Sequence, residues 1–172
     1  MSIRSLLGWG RRHAPEPEAN PSMLGETRYL PGPAAADLKA IKAWWEGLCS
    51  EAAIPARSGL SPHALKPFLP KIQLIEVLDG GRDYHIRLFG TDWVTATRGD
   101  FTNRLLSNTI NQAVREKWMH IYGLVVASAA PLSFTTNLNN VGRDFMYVEE
   151  LLLPFSRDTE QVAFLLAAIT RQ

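Results

Sequence analysis

The sequence predicts an α+β domain, in which a five-stranded antiparallel sheet carries helices on one face and an extra helix lies on its N-terminal side. One observation is the polar–apolar alternation of stretches such as "DYHIRLFG", which is typical of a strand with one buried face. A second is the shortness of the turns between such stretches, which allows only antiparallel pairing. A third is the helical spacing of apolar residues at 37–51 and 110–128.

The length and charge of the chain suit one compact domain with a modest extension. It has 172 residues, of which 46% are hydrophobic and 20% charged, and its formal net charge is +1. This balance gives no reason to expect a nucleic-acid partner. The single cysteine, Cys49, excludes an intramolecular disulfide and is typical of a reducing compartment, so we expect a cytoplasmic protein. No apolar run approaches the roughly 20 residues of a transmembrane helix.

Residues 1–36 are predicted to form a flexible tail or linker, and residues 37–172 a folded domain. Most of the first segment, "GRRHAPEPEANPSMLGETRYLPGPAAA", is rich in proline and shows little hydrophobic periodicity. The preceding "MSIRSLLGWGRRH" has too short an apolar run for a convincing signal peptide. The folded unit is therefore expected to begin near residue 37.

The first element of the domain is a predicted helix at residues 37–51, with Asp37 as its N-cap. Apolar residues recur in it at the three- and four-residue spacing of one helix face. Trp45 and Leu48 belong to this apolar stripe, and Trp44 widens it. We therefore treat Trp44, Trp45 and Leu48 as candidate residues of an interaction surface.

Two strands follow, "KIQLIEVL" and "DYHIRLFG", joined through "DGGR", which is a strong signal for a tight turn. This turn sets a register in which Glu76 meets His85 and Leu74 meets Arg87. One face of the hairpin then carries the apolar side chains, which are Ile75, Val77, Tyr84, Ile86 and Leu88. The other face carries Phe89 and a charged group made of Glu76, His85 and Arg87.

The second half of the chain is predicted to hold short helices, one long helix and three strands. The short helices occupy residues 91–108, and the long helix occupies residues 110–128. Its apolar stripe is Ile110, Val114, Trp118, Ile121 and Val125. Of the strands "PLSFTTNL", "DFMYVEELLLPF" and "QVAFLLAAI", the last is apolar at nearly every position and should be central, with both faces covered. The helix at 37–51 or a second subunit would cover its second face.

This order of elements resembles the PAS fold, and several short motifs resemble those of a bacterial subfamily of short stand-alone PAS proteins. The motifs are the helix with Trp44, then "IPARSGLSPHALKPFLPKIQLIEV", "IRLFGT" and "RGDFTNRLL", and the match covers roughly residues 38–169. One departure is Asn103, where the family pattern usually has glycine; asparagine tolerates the same left-handed backbone. The resemblance implies a cavity between the long helix and the sheet. Many PAS domains bind haem, flavin or metabolites there, and others bind nothing and mediate dimerisation.

Sequence signatures of the common enzyme classes are absent. The chain has no P-loop, G-x-G-x-x-G, H-E-x-x-H, G-x-S-x-G or C-x-x-C. Glu149 and Glu150 are neighbours in a strand and point to opposite faces, so they cannot flank one substrate bond. We expect one of them to pair with a basic group across the sheet and the other to meet solvent. No catalytic residue and no metal site are predicted.

No cofactor is assigned from the sequence. His120 lies on the long helix, where some haem-binding PAS domains carry their axial ligand, but it falls about 120° from the centre of the apolar stripe and should face outward. His63 lies in a proline-rich turn. His85 is the least implausible haem ligand, if its sheet face lines the cavity. Cys49 lies outside any flavin-linked motif and is expected to be a small buried hydrophobe.

The candidate ligand-binding residues are His85, Arg87, Trp93, Trp118 and Tyr122. The charged group of Glu76, His85 and Arg87 has two interpretations. It is either a structural ion-pair group on the outer sheet face, or Arg87 points into the cavity and pairs with an acidic ligand. The three aromatic candidates either line the cavity or fill the core.

The leading hypothesis is a stand-alone PAS-type sensor or interaction module that forms a homodimer, is able to bind a small molecule and signals through an unidentified partner protein. The homodimer is expected from the two-sided apolarity of "VAFLLAAI" and from the helix that carries the tryptophans. One alternative is a small α+β cone enzyme with Glu76 or His85 as an acid or base in the cavity. Another is a structural adaptor with a filled core and no ligand.

Overall fold

The computed structural model describes residues 27–49, 54–109, 111–138, 143–158 and 161–172. Within these ranges the helices are α1 (Ala36–Leu48), α2 (Pro62–Leu65), α3 (Thr91–Thr97) and α4 (Gln112–Ser128). The strands are β1 (Arg28–Leu30), β2 (Ile72–Leu78), β3 (Asp83–Phe89), β4 (Arg104–Leu105), β5 (Leu132–Leu138), β6 (Arg143–Ser156) and β7 (Val162–Arg171). Short 3-10 segments are Arg57–Gly59, Lys66–Lys71 and Leu106–Asn108.

These strands form one antiparallel sheet with the order β1-β5-β6-β7-β2-β3-β4. Five of them are the predicted strands, and the short β1 and β4 extend the sheet at its two edges. β7 lies in the middle, and from Phe164 to Ile169 it is almost completely buried, as its continuous apolar run predicts. The predicted α+β architecture is confirmed, with a sheet of seven strands where five were expected.

β1 lies inside the segment predicted to be a tail. Tyr29 pairs with Phe134 on β5, and the centroids of the two rings are 6.1 Å apart. Because this pairing adds a strand to the sheet, the folded unit begins before residue 37. Residues 1–26 of the predicted tail lie outside the described residues, as do residues 50–53, where the predicted end of the first helix falls.

α1 covers the outer face of the sheet, which is the face opposite to α3 and α4. Its buried residues, Leu38, Ile41 and Trp45, belong to the predicted apolar stripe. The Trp45 indole N–H donates to the Pro154 carbonyl oxygen at 3.0 Å, which anchors the helix to β6. The cover that β7 requires on its outer face is therefore supplied by the chain itself, as one of the two alternatives for this face predicted.

The start of α1 differs from the prediction that Asp37 is its N-cap. The backbone N–H groups of Ala34 and Ala35 donate to Glu149 Oε1 at 2.6 and 3.2 Å. Asp37 lies within the first turn and forms a salt bridge with Lys71 at 3.0 Å. A carboxylate near the positive end of a helix dipole is favourable. Local sequence does not reveal this contact, because Glu149 lies 115 residues beyond Ala34.

The β2–β3 hairpin follows the predicted register only in the half nearest its turn. The pairs from the turn up to Ile75 agree with the prediction, but Leu74 then pairs with Leu88 and not with Arg87. Arg87 is the extra residue of a β-bulge, and every side chain beyond a bulge changes face. Phe89 therefore lies on the inner face under the helices, and Leu88 lies on the outer face, the reverse of the prediction.

Gly90, at the end of β3, is where α3 meets the chain segment that precedes β2. A Cβ atom at residue 90 would lie 2.5 Å from the Leu69 carbonyl oxygen and would also clash with that of Pro70. The Trp93 indole N–H donates to the Lys71 carbonyl oxygen at 2.8 Å. This close approach of two backbone segments docks α3 against the sheet.

Gly90→Ala is expected to lower the free energy of unfolding by about 2–4 kcal/mol, because the added methyl group forces backbone atoms to move. Urea denaturation followed by circular dichroism measures the change. Gly123→Ala is the control, since Gly123 lies inside α4 with nothing within 4 Å of an added Cβ. Alanine there should raise the free energy of unfolding by about 1 kcal/mol. A Gly90→Ala protein as stable as the unsubstituted one would contradict this account of the α3 junction.

Candidate functional site

A cavity of about 50 Å3 lies between the inner face of the sheet and the helices α3 and α4. β2 and β3 contribute Gln73, Ile86 and Phe89 to its lining. The two helices and the segment between them contribute the remaining lining residues, among them Leu106 and Val114. The cavity lies where the resemblance to PAS domains implies a ligand site.

Aromatic side chains dominate the cavity lining: Phe89, Trp93, Phe101, Trp118 and Tyr122. The ring of Phe89 contacts those of Trp93 and Phe101, with centroid distances of 5.8 and 5.4 Å. Trp118 and Tyr122 are neighbours on α4, with centroids 5.7 Å apart. The structure thus brings together the three aromatic candidates Trp93, Trp118 and Tyr122. Phe89 joins them only because the bulge turns it to the inner face.

Several polar groups at the cavity are already bonded to the protein itself. The Tyr122 hydroxyl donates to Gln73 Oε1 at 3.2 Å, and both side chains are buried. Burial raises the pKa of Tyr122 well above its usual value, so the hydroxyl keeps its proton. The Thr97 hydroxyl donates to the Trp93 carbonyl oxygen at 2.8 Å. The wall that the cavity presents to an occupant is therefore mainly apolar.

The cavity does not fit the larger cofactors that many PAS domains hold. A volume of about 50 Å3 exceeds the space of one water molecule. It is far below the roughly 300–1,000 Å3 of ordinary ligand pockets, so neither haem nor flavin has room. His63 and His120 are exposed, and His85 lies on the outer face, so none of these three can reach an iron in the cavity. Within the described ranges, no three His, Cys, Asp or Glu side chains are grouped to hold a metal ion.

The other two candidate ligand residues, His85 and Arg87, lie on the outer face with Glu76. The Glu76 carboxylate is 2.8 Å from Arg157 Nη2, 3.7 Å from Arg87 Nη1 and 4.0 Å from His85 Nδ1. Arg87 therefore does not enter the cavity, and the geometry is that of an ion-pair group on the outer sheet face. Arg157 lies 81 residues from Glu76 in the chain, so local pattern does not identify it as the closest partner.

The same geometry bears on the enzyme alternative. That alternative requires an acid or base inside the cavity, and Glu76 and His85 are its candidates. Both lie on the opposite face of the sheet from the cavity, and Glu76 has basic partners there. Neither residue supplies the acid or base that such an enzyme would need.

The candidate interaction residues on α1 have different environments. Trp45 has only 6% of its surface exposed and holds α1 against β6. Trp44 is half-buried, with its ring centroid 6.3 Å from that of Phe155, and Leu48 is half-buried as well. Of these three residues, Trp44 and Leu48 are the ones that offer surface to a partner.

A buried Glu–Lys pair lies beneath α4. Glu149 and Glu150 point to opposite faces of β6, as the strand period predicts, but both are buried, so the prediction that one meets solvent is wrong. Neither oxygen of the Glu150 carboxyl group has a hydrogen-bond partner among the described residues. Lys117, on α4, is 3% exposed, and its Nζ donates to Thr136 Oγ1 at 2.6 Å. Lys117 is not among the candidates selected from the sequence. The sequence feature that could have indicated its burial is its position beside Trp118, on the inward side of α4.

Burial controls the protonation of this pair. It raises the pKa of Glu150 to about 8, an effect that the positive charge of Lys117 opposes. Burial also lowers the pKa of Lys117, which the charge of Glu150 opposes. The Glu150 carboxyl group therefore carries its proton over most of the neutral range. Glu150 also contributes to the raised pKa of Tyr122, which lines the cavity.

Comparison with protein families identifies the family of the chain. The model of the PAS domain family matches residues 34–170. No match was found among curated proteins or among solved structures. The matched range contains all four described helices and the cavity. None of the helices in the described part of the chain has the length and apolar composition of a membrane span.

Glu150→Gln is expected to change how stability depends on pH. A carboxyl group whose pKa is raised by folding favours the folded state when it is protonated. Its contribution is complete below pH 4.5 and is lost as pH rises through about 8. The glutamine variant carries no such group. Its free energy of unfolding should therefore rise relative to the unsubstituted protein between pH 5 and pH 9, by on the order of 3 kcal/mol.

Urea denaturation at several pH values measures this difference. Glu46→Gln is the control, because it removes one carboxylate from the exposed side of α1 and leaves the buried pair intact. The control should run parallel to the unsubstituted protein at every pH. If Glu150→Gln also ran parallel to it, Glu150 would titrate at its ordinary pKa in the folded protein.

Proposed function

The chain belongs to the PAS domain family, and we propose that it is a sensor and interaction module whose cavity takes a small, mainly apolar molecule. Its output passes to a partner protein. The observation that carries this proposal is the apolar cavity of about 50 Å3 between α3, α4 and the inner sheet face.

The size and lining of the cavity define the class of ligand. The available volume holds only a few non-hydrogen atoms. The hydroxyl groups of Tyr122 and Thr97 and the indole N–H of Trp93 already donate to protein oxygens. An apolar occupant leaves these bonds intact and gains contact with the aromatic rings. A strongly polar one would have to break them, which costs free energy.

β3 provides a physical route from the cavity to the outer face. Ile86 lines the cavity, while its neighbours His85 and Arg87 face outward toward Glu76. The bulge at Arg87 leaves this residue unpaired in the ladder, so the strand is locally less constrained there. A ligand that pushes on Ile86 therefore acts on the strand that also holds the outer ion-pair group.

Xenon tests whether the cavity accepts a small apolar atom. In ¹H–¹³C spectra of the full chain under xenon pressure, we expect the methyl resonances of Ile86 and Val114 to shift, because both line the cavity. Those of Leu166 should stay unchanged, because this residue is buried on β7 outside the lining. Leu106→Phe, which places a ring in the cavity, should abolish the shifts.

Two results would contradict the ligand proposal. One is the absence of shifts at Ile86 and Val114 in a folded protein. The other is an equal shift at Leu166, which would mean that xenon enters the core at large. Either result would favour the second candidate function, a ligand-free structural adaptor. The small size of the cavity supports this second candidate.

Self-association remains part of the proposal. The homodimer is predicted from the apolar faces of β7 and from the tryptophans of α1. Since α1 covers β7 and Trp45 is buried within the same chain, neither feature requires a second subunit. The half-buried Trp44 and Leu48 are left as apolar surface for a second copy.

Native mass spectrometry of the full chain at tens of micromolar is expected to give twice the chain mass of 19.2 kDa. Trp44→Ala with Leu48→Ser should shift the population toward the monomer, because it removes the apolar side chains that α1 leaves at the surface. Lys39→Ala, at an exposed position on the same helix, is the control and should leave the mass unchanged. A single species of 19.2 kDa for the unsubstituted protein would overturn the homodimer.

A further inference from the structure

Two arginine side chains stack on one buried phenylalanine at the outer face of the sheet. The guanidinium carbons of Arg57 and Arg157 lie 5.0 and 5.1 Å from the centroid of the Phe164 ring. Backbone pairing brings them together, since the Ser156 N–H donates to the Pro55 carbonyl oxygen at 2.9 Å. The fold therefore brings the two chain segments that carry these arginines to the same ring.

These arginines belong to a group with more positive than negative charge. Arg157 and Arg87 both contact Glu76, at 2.8 and 3.7 Å. Among the described residues, Glu76 is the carboxylate that forms salt bridges with this group, and Arg57 forms none. One carboxylate thus stands against three guanidinium groups and contacts two of them. Arg87 and Arg157 keep 50% and 59% of their side-chain surface exposed, so the surplus charge is accessible.

Stacking leaves the hydrogen-bonding edges of these guanidinium groups available. A guanidinium group bonds to carboxylates through N–H groups in its plane, and contact with an aromatic face does not use them. The ring also restricts the orientation of the side chains, so less conformational entropy is lost when an anion binds. Arg57 is therefore arranged to donate to a carboxylate in the bidentate geometry that arginine favours, and Arg157 has N–H groups besides the one that Nη2 donates to Glu76.

We propose that this surface, the arginine patch of Arg57, Arg87 and Arg157, binds an acidic segment of a partner protein. The proposal rests on the proposed function in that it identifies the chemistry of the partner. The three cations come from a 3-10 segment, from β3 and from the residue that follows β6, so they are spread across the sheet. A chain with several carboxylates can meet all of them, whereas one small anion cannot.

The half-buried ring of Trp44, near the patch, favours a peptide over other polyanions. Phe155 pairs with Phe164 in the β6–β7 ladder, and the half-buried Trp44 contacts Phe155. An apolar side chain of the bound segment can pack there while its carboxylates reach the arginines. Glu76, in the centre of the group, repels the closely spaced phosphates of a nucleic acid, and the net charge of +1 gives no general attraction for them.

The test uses the full chain and a fluorescein-labelled peptide in which pairs of glutamates alternate with leucine. Fluorescence anisotropy should show binding that weakens with salt. Arg57→Ala with Arg157→Ala should weaken it about tenfold or more. Arg28→Ala with Arg171→Ala is the control, because it removes the same charge from exposed positions away from the patch. This control should bind within about twofold of the unsubstituted protein.

Glu76→Gln makes the test independent of folding defects. It frees Arg87 and Arg157 from their carboxylate partner, so the peptide should bind more tightly, by about threefold or more, which a damaged fold would not produce. Two outcomes would overturn the proposal. In one, the control pair weakens binding as much as the patch pair. In the other, a labelled single-stranded oligonucleotide of the same charge binds as tightly and with the same dependence on Arg57 and Arg157.

These experiments test the proposal for the arginine patch and the proposal for the cavity independently. Xenon shifts at Ile86 report on the cavity alone, and peptide binding reports on the outer face alone. Peptide binding without xenon shifts would support the proposed interaction surface and contradict the proposed ligand site. Xenon shifts without peptide binding would support the proposed ligand site and contradict the proposal that the partner is an acidic segment.

Discussion

The structure depends on covering β7 on both of its faces. From Phe164 to Ile169 this central strand is buried, with α1 on the outer side and the layer of α3 and α4 on the inner side. Burial of apolar surface contributes roughly 25 cal/mol per Å2, so an open face along the whole strand would cost more than any single contact restores. The anchoring of Trp45 and the placement of α1 follow from this requirement.

A one-residue bulge in β3 connects the two faces of the sheet. Without the extra residue at Arg87, Phe89 would point outward and the cavity would lose the ring that contacts Trp93 and Phe101. With it, the same short strand directs aromatic side chains inward and charged side chains outward. The proposed ligand site and the proposed partner surface therefore share β3, although they lie on opposite faces of the sheet.

Two glutamates show how differently the fold treats charge. Glu76 is near the surface, and its carboxylate contacts the guanidinium groups of Arg87 and Arg157. Glu150 is fully buried beside Lys117 with no hydrogen-bond partner among the described residues, and burial shifts both groups toward their neutral forms. The first arrangement suits recognition of a charged partner. The second makes the interior sensitive to pH.

The sequence by itself determined the fold class, the order of the elements and the inward side of α4, because these depend on local periodicity and turn chemistry. The "DGGR" turn and the unbroken apolar run of β7 are sufficient for the hairpin and for the central strand. Only the tertiary structure decided the volume of the cavity, the face of Phe89 and the partners of Glu76 and Glu149. Each of these depends on a contact between distant segments or on one residue inserted into a ladder, and periodicity along the chain encodes neither.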